Sequence, residues 1–402
     1  MPIGGLVPRL RFPEFREAGE WEEKKLSSMA QLISGLHLSP DQYGKEGEVP
    51  YFTGPSDFTN NIQEISKWTK ESTNTATEND TLITVKGSGV GEIWYLSLPA
   101  AAIGRQLMAV RILNGSTRFI FQFLLTKRIR FEDLASGNLI PGLSRGDILD
   151  LEARFPSPPE QQKIADCLAS LDELITLEAQ KLDTLKTHKK GLMQQLFPTE
   201  GETLPKLRFP EFQDAGEWRS TSFGAAATFI NGKAYKQEEL LDQGKYRVLR
   251  VGNFFTNKEW YFSDLELEED KYCDSGDLLY AWSASFGPRI WSGEKVIYHY
   301  HIWKVVEAKG IHKQFLFLLL DYETERMKAE STNGLGLLHI TKGAIEGWGC
   351  CLPNEKEQQK IADCLTSLDD LITAQTQKLA ALKTHKKSLM QQLFPVLDEV
   401  AA

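Results

Sequence analysis

A long internal repeat constrains this chain more than any other feature of its 402 residues. Residues 8–21 return nearly unchanged as 205–218, and residues 160–198 return as 357–395 with 31 of 39 positions identical, always at an offset of 197. Solenoid folds need at least about three copies with periods of roughly 20–50 residues. The repeat therefore predicts two similar frames in one chain and excludes a solenoid.

Between the repeated segments lie two inserts, residues 22–159 and 219–356, of 138 residues each. They are largely unlike each other, although both are rich in short predicted strands, aromatic residues and basic residues. At roughly 100–200 residues per domain, each insert is long enough to fold around its own core. Two similar frames therefore hold two divergent domains.

The repeated block 160–198 is predicted to be one long helix with defined ends. Glu160 and its twin Glu357 each lie three positions after a cap residue, which is the pattern of a capping box. Pro198 and Pro395 end the helices, because the residue before a proline is disfavoured in the helical region. We therefore expect Ser157 and Asn354 to be the cap residues, with Glu160 and Glu357 completing the two capping boxes.

Inside each helix, apolar residues recur in alternating steps of four and three over about five heptads, as in a coiled coil. Two positions of this seam are polar in each helix, Glu178 and Lys189 in the first and Gln375 and Lys386 in the second. An amphipathic helix packed on a globular core is the alternative, but such helices rarely run beyond about 25 residues. The predicted coiled-coil interface consists of Ile164, Leu168, Leu171, Ile175, Leu182, Leu185, Leu192, Leu196, Ile361, Leu365, Leu368, Ile372, Leu379, Leu382, Leu389 and Leu393.

The connection lengths predict how the two helices pair. About 38 helical residues at ~1.5 Å each form a rod of roughly 55 Å, whereas each insert has an expected radius of gyration of about 14 Å. Only residues 199–218 join the first helix to the second insert, so the second helix begins near the end of the first. We therefore expect two antiparallel helices, with the inserts at opposite ends of the rod and a pseudo-twofold axis between the frames.

The sequence shows no catalytic constellation. The glycine-rich run 87–91 lacks the spacing of a dinucleotide fingerprint or a P-loop, so a tight turn is favoured over a phosphate cradle. His299 and His301 alternate along one face of a predicted strand, yet no carboxylate or cysteine stands at metal-ligand spacing. The five cysteines form no CxxC pair and are expected to be reduced thiols. The sequence therefore predicts a chain without catalytic residues, metal or cofactor of its own.

The net charge of −9 argues at first against nucleic-acid binding, because phosphate contacts normally leave a basic excess. However, the two inserts still carry 14 and 17 cationic residues that folding can gather on one face. We therefore expect weak DNA binding by the chain alone, with partners supplying much of the phosphate contact. No apolar run approaches the ~18 residues of a membrane span and no leader is evident, so we expect a cytoplasmic protein.

Both inserts contain tight loops in which small polar residues stand beside arginine or lysine. Such loops can read base edges, because arginine donates two hydrogen bonds to guanine and serine bonds to several bases. A structural role is the alternative for each residue taken singly. The predicted DNA-binding residues are Lys86, Ser88, Arg105, Gln106 and Arg145 in the first insert, and Ser283, Ser285, Arg289, His299, His301 and Lys342 in the second.

Several short segments are distinctive: Lys206 to Phe212 with Trp218, Glu160 to Ala165 with its twin from Glu357, Gly276 to Tyr280, and the endings Met193 to Pro198 and Met390 to Pro395. With these segments, the chain resembles, over essentially its whole length, a specificity subunit of a type I restriction–modification system. It implies an α+β protein in which two mixed α/β target recognition domains are separated by two long antiparallel coiled-coil helices. Each recognition domain would read one half of a bipartite, asymmetric DNA target.

The resemblance also implies a division of the chain and a set of partners. The expected domains are an arm with target recognition domain 1 (1–159), a central helix (160–198), a linker arm with target recognition domain 2 (199–356) and a C-terminal helix (357–402). The expected partners are double-stranded DNA, two methyltransferase subunits docked on the helices, and restriction/translocase subunits, without a membrane. S-adenosylmethionine, ATP and Mg would serve those partner subunits, and this chain would not be an enzyme.

Two alternatives belong to other functional classes. One is a coiled-coil scaffold with two divergent protein-binding domains, which the acidic charge favours. The other is an enzyme with an unrecognised active site, which would require activity from the purified chain alone.

Overall fold

The computed structural model describes residues 7–70, 74–136, 142–255, 257–283, 287–331 and 339–395. The chain divides into two units, of which unit 1 comprises Met1–Gln180 with Gln377–Ala402 and unit 2 comprises Lys181–Thr376. Both units combine helices with β-sheets, so the α+β part of the expected fold class is confirmed. Within the described ranges, every helix is too short or too polar to cross a lipid bilayer.

The strands of unit 1 form three sheets. They are β1 (Glu22–Lys25), β2 (Ala30–Ser34), β3 (Tyr43–Gly44), β4 (Val49–Phe52), β5 (Trp68–Thr69), β6 (Thr75–Thr77), β7 (Thr81–Thr84), β8 (Ile93–Tyr95), β9 (Ala100–Ile103), β10 (Leu107–Ile112) and β11 (Glu152–Phe155). The sheet orders are β2-β10-β7-β8, β3-β5-β4-β9-β6 and β1-β11. Strands β4 and β9 are parallel, with Tyr51 opposite Ala102.

The helices of unit 1 cover these sheets. They are α1 (Thr117–Thr126), α2 (Arg128–Ser136), α3 (Arg145–Leu149) and part of α4 (Pro158–Leu196). Helix α1 begins where the Ser116 side chain accepts a hydrogen bond from the Phe119 N–H, which satisfies one free donor of the first turn. Its apolar face carries Phe119 and Phe123 into the core, where the Phe123 ring meets Phe155 edge-on at 5.4 Å.

Unit 2 repeats this strand order. Its strands are β12 (Arg219–Ser222), β13 (Ala227–Asn231), β14 (Tyr246–Leu249), β15 (Tyr261–Ser263), β16 (Tyr272–Cys273), β17 (Leu278–Ala281), β18 (Gly287–Ile290), β19 (Val296–Tyr298), β20 (Ile302–Glu307) and β21 (Gly349–Leu352). The sheet orders are β13-β20-β17-β18, β15-β14-β19-β16 and β12-β21. As in unit 1, one parallel pair is present, β14 with β19. Among the described residues, strand β3 of unit 1 has no counterpart in unit 2; apart from this strand, two inserts of largely different sequence adopt the same topology.

The remaining helices of unit 2 are α5 (Phe223–Ala226), α6 (Val251–Phe255), α7 (Lys313–Ser331) and α8 (Lys342–Gly347), followed by α9 (Glu355–Leu393). Helix α8 is capped by Thr341, whose side chain accepts a hydrogen bond from the Ala344 N–H. Helix α7 places Phe315 in the core of unit 2, where its ring meets Phe197 at 5.7 Å and Trp218 at 6.1 Å.

The repeated arm holds the start of each long helix through a buried carboxylate. In unit 1 the Arg11 guanidinium donates to both oxygens of Glu160 at 2.7 Å, and Trp21 Nε1 donates to the same carboxylate at 3.3 Å. In unit 2 the residues 197 positions later repeat these contacts around Glu357 at 2.7, 2.8 and 3.2 Å.

This arrangement departs from the expected capping role of Glu160 and Glu357. Each carboxylate is only 1% exposed, and a buried charge requires a charged partner, which the arm arginine supplies. A free N–H at a helix start can be satisfied by other groups or by water. The other half of the expected capping box is present at α9, where the Asn354 side chain accepts a hydrogen bond from the Glu357 N–H at 3.0 Å.

The long helices α4 and α9 both contribute residues to both units. All of the residues predicted for the coiled-coil interface are buried or half-buried. Two of the polar seam residues are also largely buried, since Glu178 is 8% and Gln375 is 6% exposed. The predicted seam thus coincides with the covered side of each helix.

Within unit 1, the facing segments of α4 and α9 run antiparallel. Asp172 forms an ion pair with Lys386, and Glu178 forms one with Lys378. Higher numbers on α4 therefore face lower numbers on α9.

Unit 2 contains the equivalent contacts on its own segments of α4 and α9. Lys189 Nζ lies 2.6 Å from Asp369 Oδ1, and this pair is the twin of Lys386 with Asp172. Leu196 lies in the same apolar cluster as Ile361.

Candidate nucleic-acid interface

In unit 1 three loops meet beyond the carboxyl ends of the parallel strands β4 and β9. This loop cluster 1 consists of residues 53–57, 85–91 and 104–106. Gln106 connects the three loops, because its Oε1 atom lies 3.1 Å from the position that a Cβ on Gly54 would take and 3.5 Å from that on Gly87. Ligands of open α/β sheets bind at the carboxyl ends of strands, so loop cluster 1 is a candidate binding surface.

Buried polar contacts hold the first of these loops. The Asp57 carboxylate accepts hydrogen bonds from the Thr53 N–H and hydroxyl at 2.7 and 2.6 Å, and it lies 2.9 Å from Lys67 Nζ. Burial alone raises the pKa of Asp57, but the Thr53 hydrogen bonds and the Lys67 ammonium together hold it below its usual value. The ionised carboxylate thus fixes the backbone that carries Gly54.

The glycine-rich run forms the expected tight turn against this loop. Gly87 has a φ of +91°, a conformation that side-chain-bearing residues rarely adopt. A Cβ on Gly89 would lie 2.5 Å from Pro55 Cγ, so a larger residue would push the two loops apart. The glycines therefore serve close packing of two chain segments.

Four of the five residues predicted for the first insert lie together on loop cluster 1. Lys86, Ser88, Arg105 and Gln106 are all exposed there. Arg145 begins α3 instead, and its guanidinium donates to Ser34 Oγ at 2.9 Å and to the Leu32 carbonyl at 3.0 Å. The DNA-binding role of all five stays a prediction.

Unit 2 has corresponding loops at the same sheet edge. This loop cluster 2 consists of residues 250–255 after β14, 282–283 after β17 and 299–301 between β19 and β20. His299 and His301 do not alternate along a strand face as expected, because β19 ends at Tyr298 and β20 begins only at Ile302. Both histidines lie in the turn, with ring centroids 4.8 Å apart.

A cavity of about 390 Å³ opens beside these histidines, lined by Gln237, Leu240, Arg250, Val251, Gly252, Tyr261, His299 and His301. The pKa of His299 is lowered to about 4, mainly by burial and further by the neighbouring His301 and Arg250. Its imidazole is therefore neutral near pH 7. The His301 N–H donates to His299 Nδ1 at 3.4 Å. Because a neutral imidazole has one acceptor and one donor nitrogen, Nε2 carries the proton.

Arg250 lines this cavity with a cationic side chain that the sequence did not indicate. Its half-buried guanidinium lies 4.6 Å from the centroid of the Tyr261 ring. Among the described residues no carboxylate pairs with it. One signal was available, since Arg250 directly follows β14, one strand of the parallel pair.

Of the other residues predicted for the second insert, Ser283 lies in loop cluster 2 and Arg289 lies against it. Arg289 is exposed and lies over the rings of Phe254 and Phe255 at 5.7 and 5.3 Å. Ser283 pairs through its backbone with His339, and Ser285 lies outside the described residues.

Lys342, the remaining predicted residue, begins α8. Its ammonium pairs with Glu346 one turn later at 3.6 Å. The DNA-binding role of the six residues predicted for the second insert stays a prediction. In the parts of the chain that the structure describes, no three His, Cys, Asp or Glu side chains are grouped to hold a metal ion. Both loop clusters instead present hydrogen-bonding side chains at a sheet edge, which suits recognition of a polar surface.

Comparison with known proteins relates both units to one family. The family model for the type I restriction modification DNA specificity domain matches residues 18–187 and again residues 216–384. The chain is 25% identical to the type I restriction enzyme MjaVIII specificity subunit of Methanocaldococcus jannaschii over 414 aligned positions, which cover 96% of this chain and 93% of that protein. It is 31% identical to the HindI specificity subunit of Haemophilus influenzae over 148 residues, 35% of this chain and 32% of that protein.

The fold is similar to that of solved proteins. The crystal structure of the type I restriction–modification system S subunit from M. genitalium superposes with a TM-score of 0.60 at 19% identity, covering 97% of this chain and 100% of that chain.

Proposed function

Since the chain belongs to the type I restriction modification DNA specificity family, we propose that it selects the DNA target of a type I restriction–modification complex and that each unit reads one half of that target. The observation that carries the proposal is the double match of one family model, to residues 18–187 and 216–384. Each match contains one loop cluster at the end of a parallel strand pair. Two readers of the same topology suit a bipartite target.

The two halves of the target differ in sequence in this proposal. Loop cluster 1 presents Gln106 with Lys86 and Arg105, whereas loop cluster 2 presents Arg250 and His299. Each base pair offers its own pattern of donors and acceptors in the major groove, so different side chains select different bases. An asymmetric target follows.

In this proposal α4 and α9 form an antiparallel coiled coil, set the spacer between the half-sites and relate the two frames by a pseudo-twofold axis. The covered apolar seam and the ion pairs within each unit support this role. Each helix has 39 residues, which gives about 58 Å at ~1.5 Å per residue. That length exceeds one turn of DNA, about 34–36 Å. The predicted domain bounds, 1–159, 160–198, 199–356 and 357–402, belong to the same proposal.

The outer faces of the long helices are the proposed docking sites for two methyltransferase subunits. On α4, Leu174 and Leu177 are 37% and 55% exposed, and on α9 the twin of Leu174, Leu371, is 54% exposed. Apolar side chains left exposed on a helix are available to a protein partner. S-adenosylmethionine would then serve the methyltransferase subunits, and ATP and Mg the restriction/translocase subunits. This chain contributes recognition and no catalytic residue.

A DNA-binding titration of the chain assembled with its methyltransferase subunit tests the proposal. We expect affinity to fall about 10³-fold or more between 50 and 200 mM salt, the effect of about six or more phosphate contacts. Sequence-specific adenine methylation in the host should disappear when the gene is deleted. Salt-insensitive binding with an unchanged methylation pattern would instead favour the protein-binding scaffold.

A further inference from the structure

We propose that Arg250 and His299 bind the O6 and N7 atoms of a guanine, so that unit 2 requires a G·C pair at one position of its half-site. This inference rests on the proposed DNA-recognition function and adds one base and the residues that select it. Both side chains line the same cavity of loop cluster 2.

The Arg250 guanidinium is held in one orientation, but its N–H groups have no acceptor among the described residues. Its position 4.6 Å above the Tyr261 ring restricts it through a cation–π contact. No described residue accepts a hydrogen bond from this guanidinium or pairs a carboxylate with it. Arg247, three residues earlier, is different, because it pairs with Glu294 at 2.7 Å. The fork of N–H donors on Arg250 is therefore available to a ligand.

His299 adds a second donor without adding a second positive charge. Its Nδ1 atom is engaged by the His301 N–H, which leaves Nε2–H as the donor. The lowered pKa of His299 keeps the ring neutral beside Arg250. The imidazole also lies nearly parallel to the Tyr235 ring, 6.2 Å away at 17°, which limits its rotation. The cavity thus offers two sets of donors from side chains with restricted orientation.

Guanine is the base that matches two neighbouring donors. In the major groove it presents two acceptors, N7 and O6, whereas adenine presents one acceptor and one donor. Cytosine presents a donor, and thymine presents one acceptor beside a methyl group. Donors from both Arg250 and His299 would therefore be left unpaired by any base except guanine.

A DNA phosphate also accepts hydrogen bonds from such donors. A phosphate contact and a base contact differ in what their loss does to binding. A phosphate contact weakens binding equally for all sequences when it is lost, and it changes the salt dependence. A base contact changes the preference at one position.

The test uses the full chain assembled with its methyltransferase subunits. Methylation mapping of the wild-type complex gives the target, and competition binding then uses duplexes with each base at each half-site position. Arg250→Lys keeps the charge but removes the fork, so the preference for guanine at one position should fall roughly 5- to 150-fold with the salt slope unchanged. His299→Ala should relax the same position, and the control Arg247→Lys should relax none.

Unchanged base preferences in the other half-site show that the variants are folded. The inference is overturned if the Arg250 and His299 variants weaken binding equally for every duplex, because that is the behaviour of a phosphate contact. It is also overturned if neither half-site contains a guanine that these variants relax, while the DNA-recognition function stands. Absence of any sequence preference in the wild-type complex would overturn both proposals.

Discussion

Loop cluster 1 and loop cluster 2 occupy the same place in two units of the same strand order, yet they present different chemistry. Gln106 lies against two glycines in the first, whereas Arg250 and His299 line an open cavity in the second. The contacts that hold the long helices are different again, because Glu160 and Glu357 are bound identically in both units. The chain repeats its scaffold contacts and varies its loop ends, which is what two different readers on one frame require.

Removing either buried helix carboxylate should lower the free energy of unfolding more than any other change considered. It also tests whether the two repeated frames are equally dependent on this contact. Glu160→Ala and Glu357→Ala each leave a largely buried arginine, 10% exposed, without its partner. Breaking one partner of a buried ion pair costs about 3–5 kcal/mol, so both variants should lose that much free energy of unfolding in urea titrations.

The matched control is an exposed ion pair on the same elements. Glu14→Ala removes the partner of Lys163, a pair at 3.1 Å with both side chains about half exposed, and it should change the free energy of unfolding little, because solvent screens an exposed pair. A large loss for one buried glutamate and a small loss for its twin would break the equivalence of the two frames.

Gln106→Ala should have the next largest effect, confined to one half of the target. A glutamine that reads a base edge contributes about 1–3 kcal/mol of discrimination, so base choice should relax by roughly 5- to 150-fold at a position in the half-site that Arg250→Lys leaves unchanged. Binding to duplexes with each base at each position measures this. If Gln106→Ala and Arg250→Lys relaxed the same half-site, the assignment of one reader to each half would be wrong.

Glu178→Gln should have a small effect, because the second copy already carries Gln375 at this position. The ion pair with Lys378 is partly exposed on the lysine side, at 53%, so its loss should cost about 0.5–1 kcal/mol of unfolding free energy. A cost above about 2 kcal/mol, measured in the same urea titration, would mean that the helices are not equivalent at this position.

Lengthening both long helices should leave the recognised half-sites unchanged and alter only the spacer between them. One extra heptad in each adds about 10 Å to the rod, or roughly three base pairs at ~3.4 Å each. Methylation mapping should show a longer spacer between unchanged half-sites. A constant spacer would exclude the helices as the element that sets it.

The sequence predicted the elements whose determinants are local. The long helices follow from their periodic leucines and their terminal prolines, and the predicted seam residues are all covered. The partners of Glu160 were not predictable, because Arg11 and Trp21 lie 149 and 139 residues away in sequence. The sequence explained Glu160 by a local role in helix capping, whereas its carboxylate binds residues that are distant in sequence.

The turn at His299 and the role of Arg250 likewise depend on distant backbone. A Cβ on Gly232 would lie 2.3 Å from the Tyr298 carbonyl oxygen. The end of β19 therefore packs directly against the backbone at Gly232, about 66 positions earlier in sequence. The alternation of the two histidines predicted a strand. The sequence alone does not reveal the close contact between the chain at Gly232 and Tyr298, which ends β19 before the histidines. Arg250 gains its importance only from the cavity that these segments form together.

An exchange of readers tests the central claim most directly. In such a chain, residues 219–356 are replaced by a second copy of residues 22–159, joined at the repeated frame. Methylation mapping of the complex should then give a target with two identical half-sites in opposite orientation and the original spacer. A folded complex that still methylates an asymmetric target would contradict the account of two different readers held in like frames.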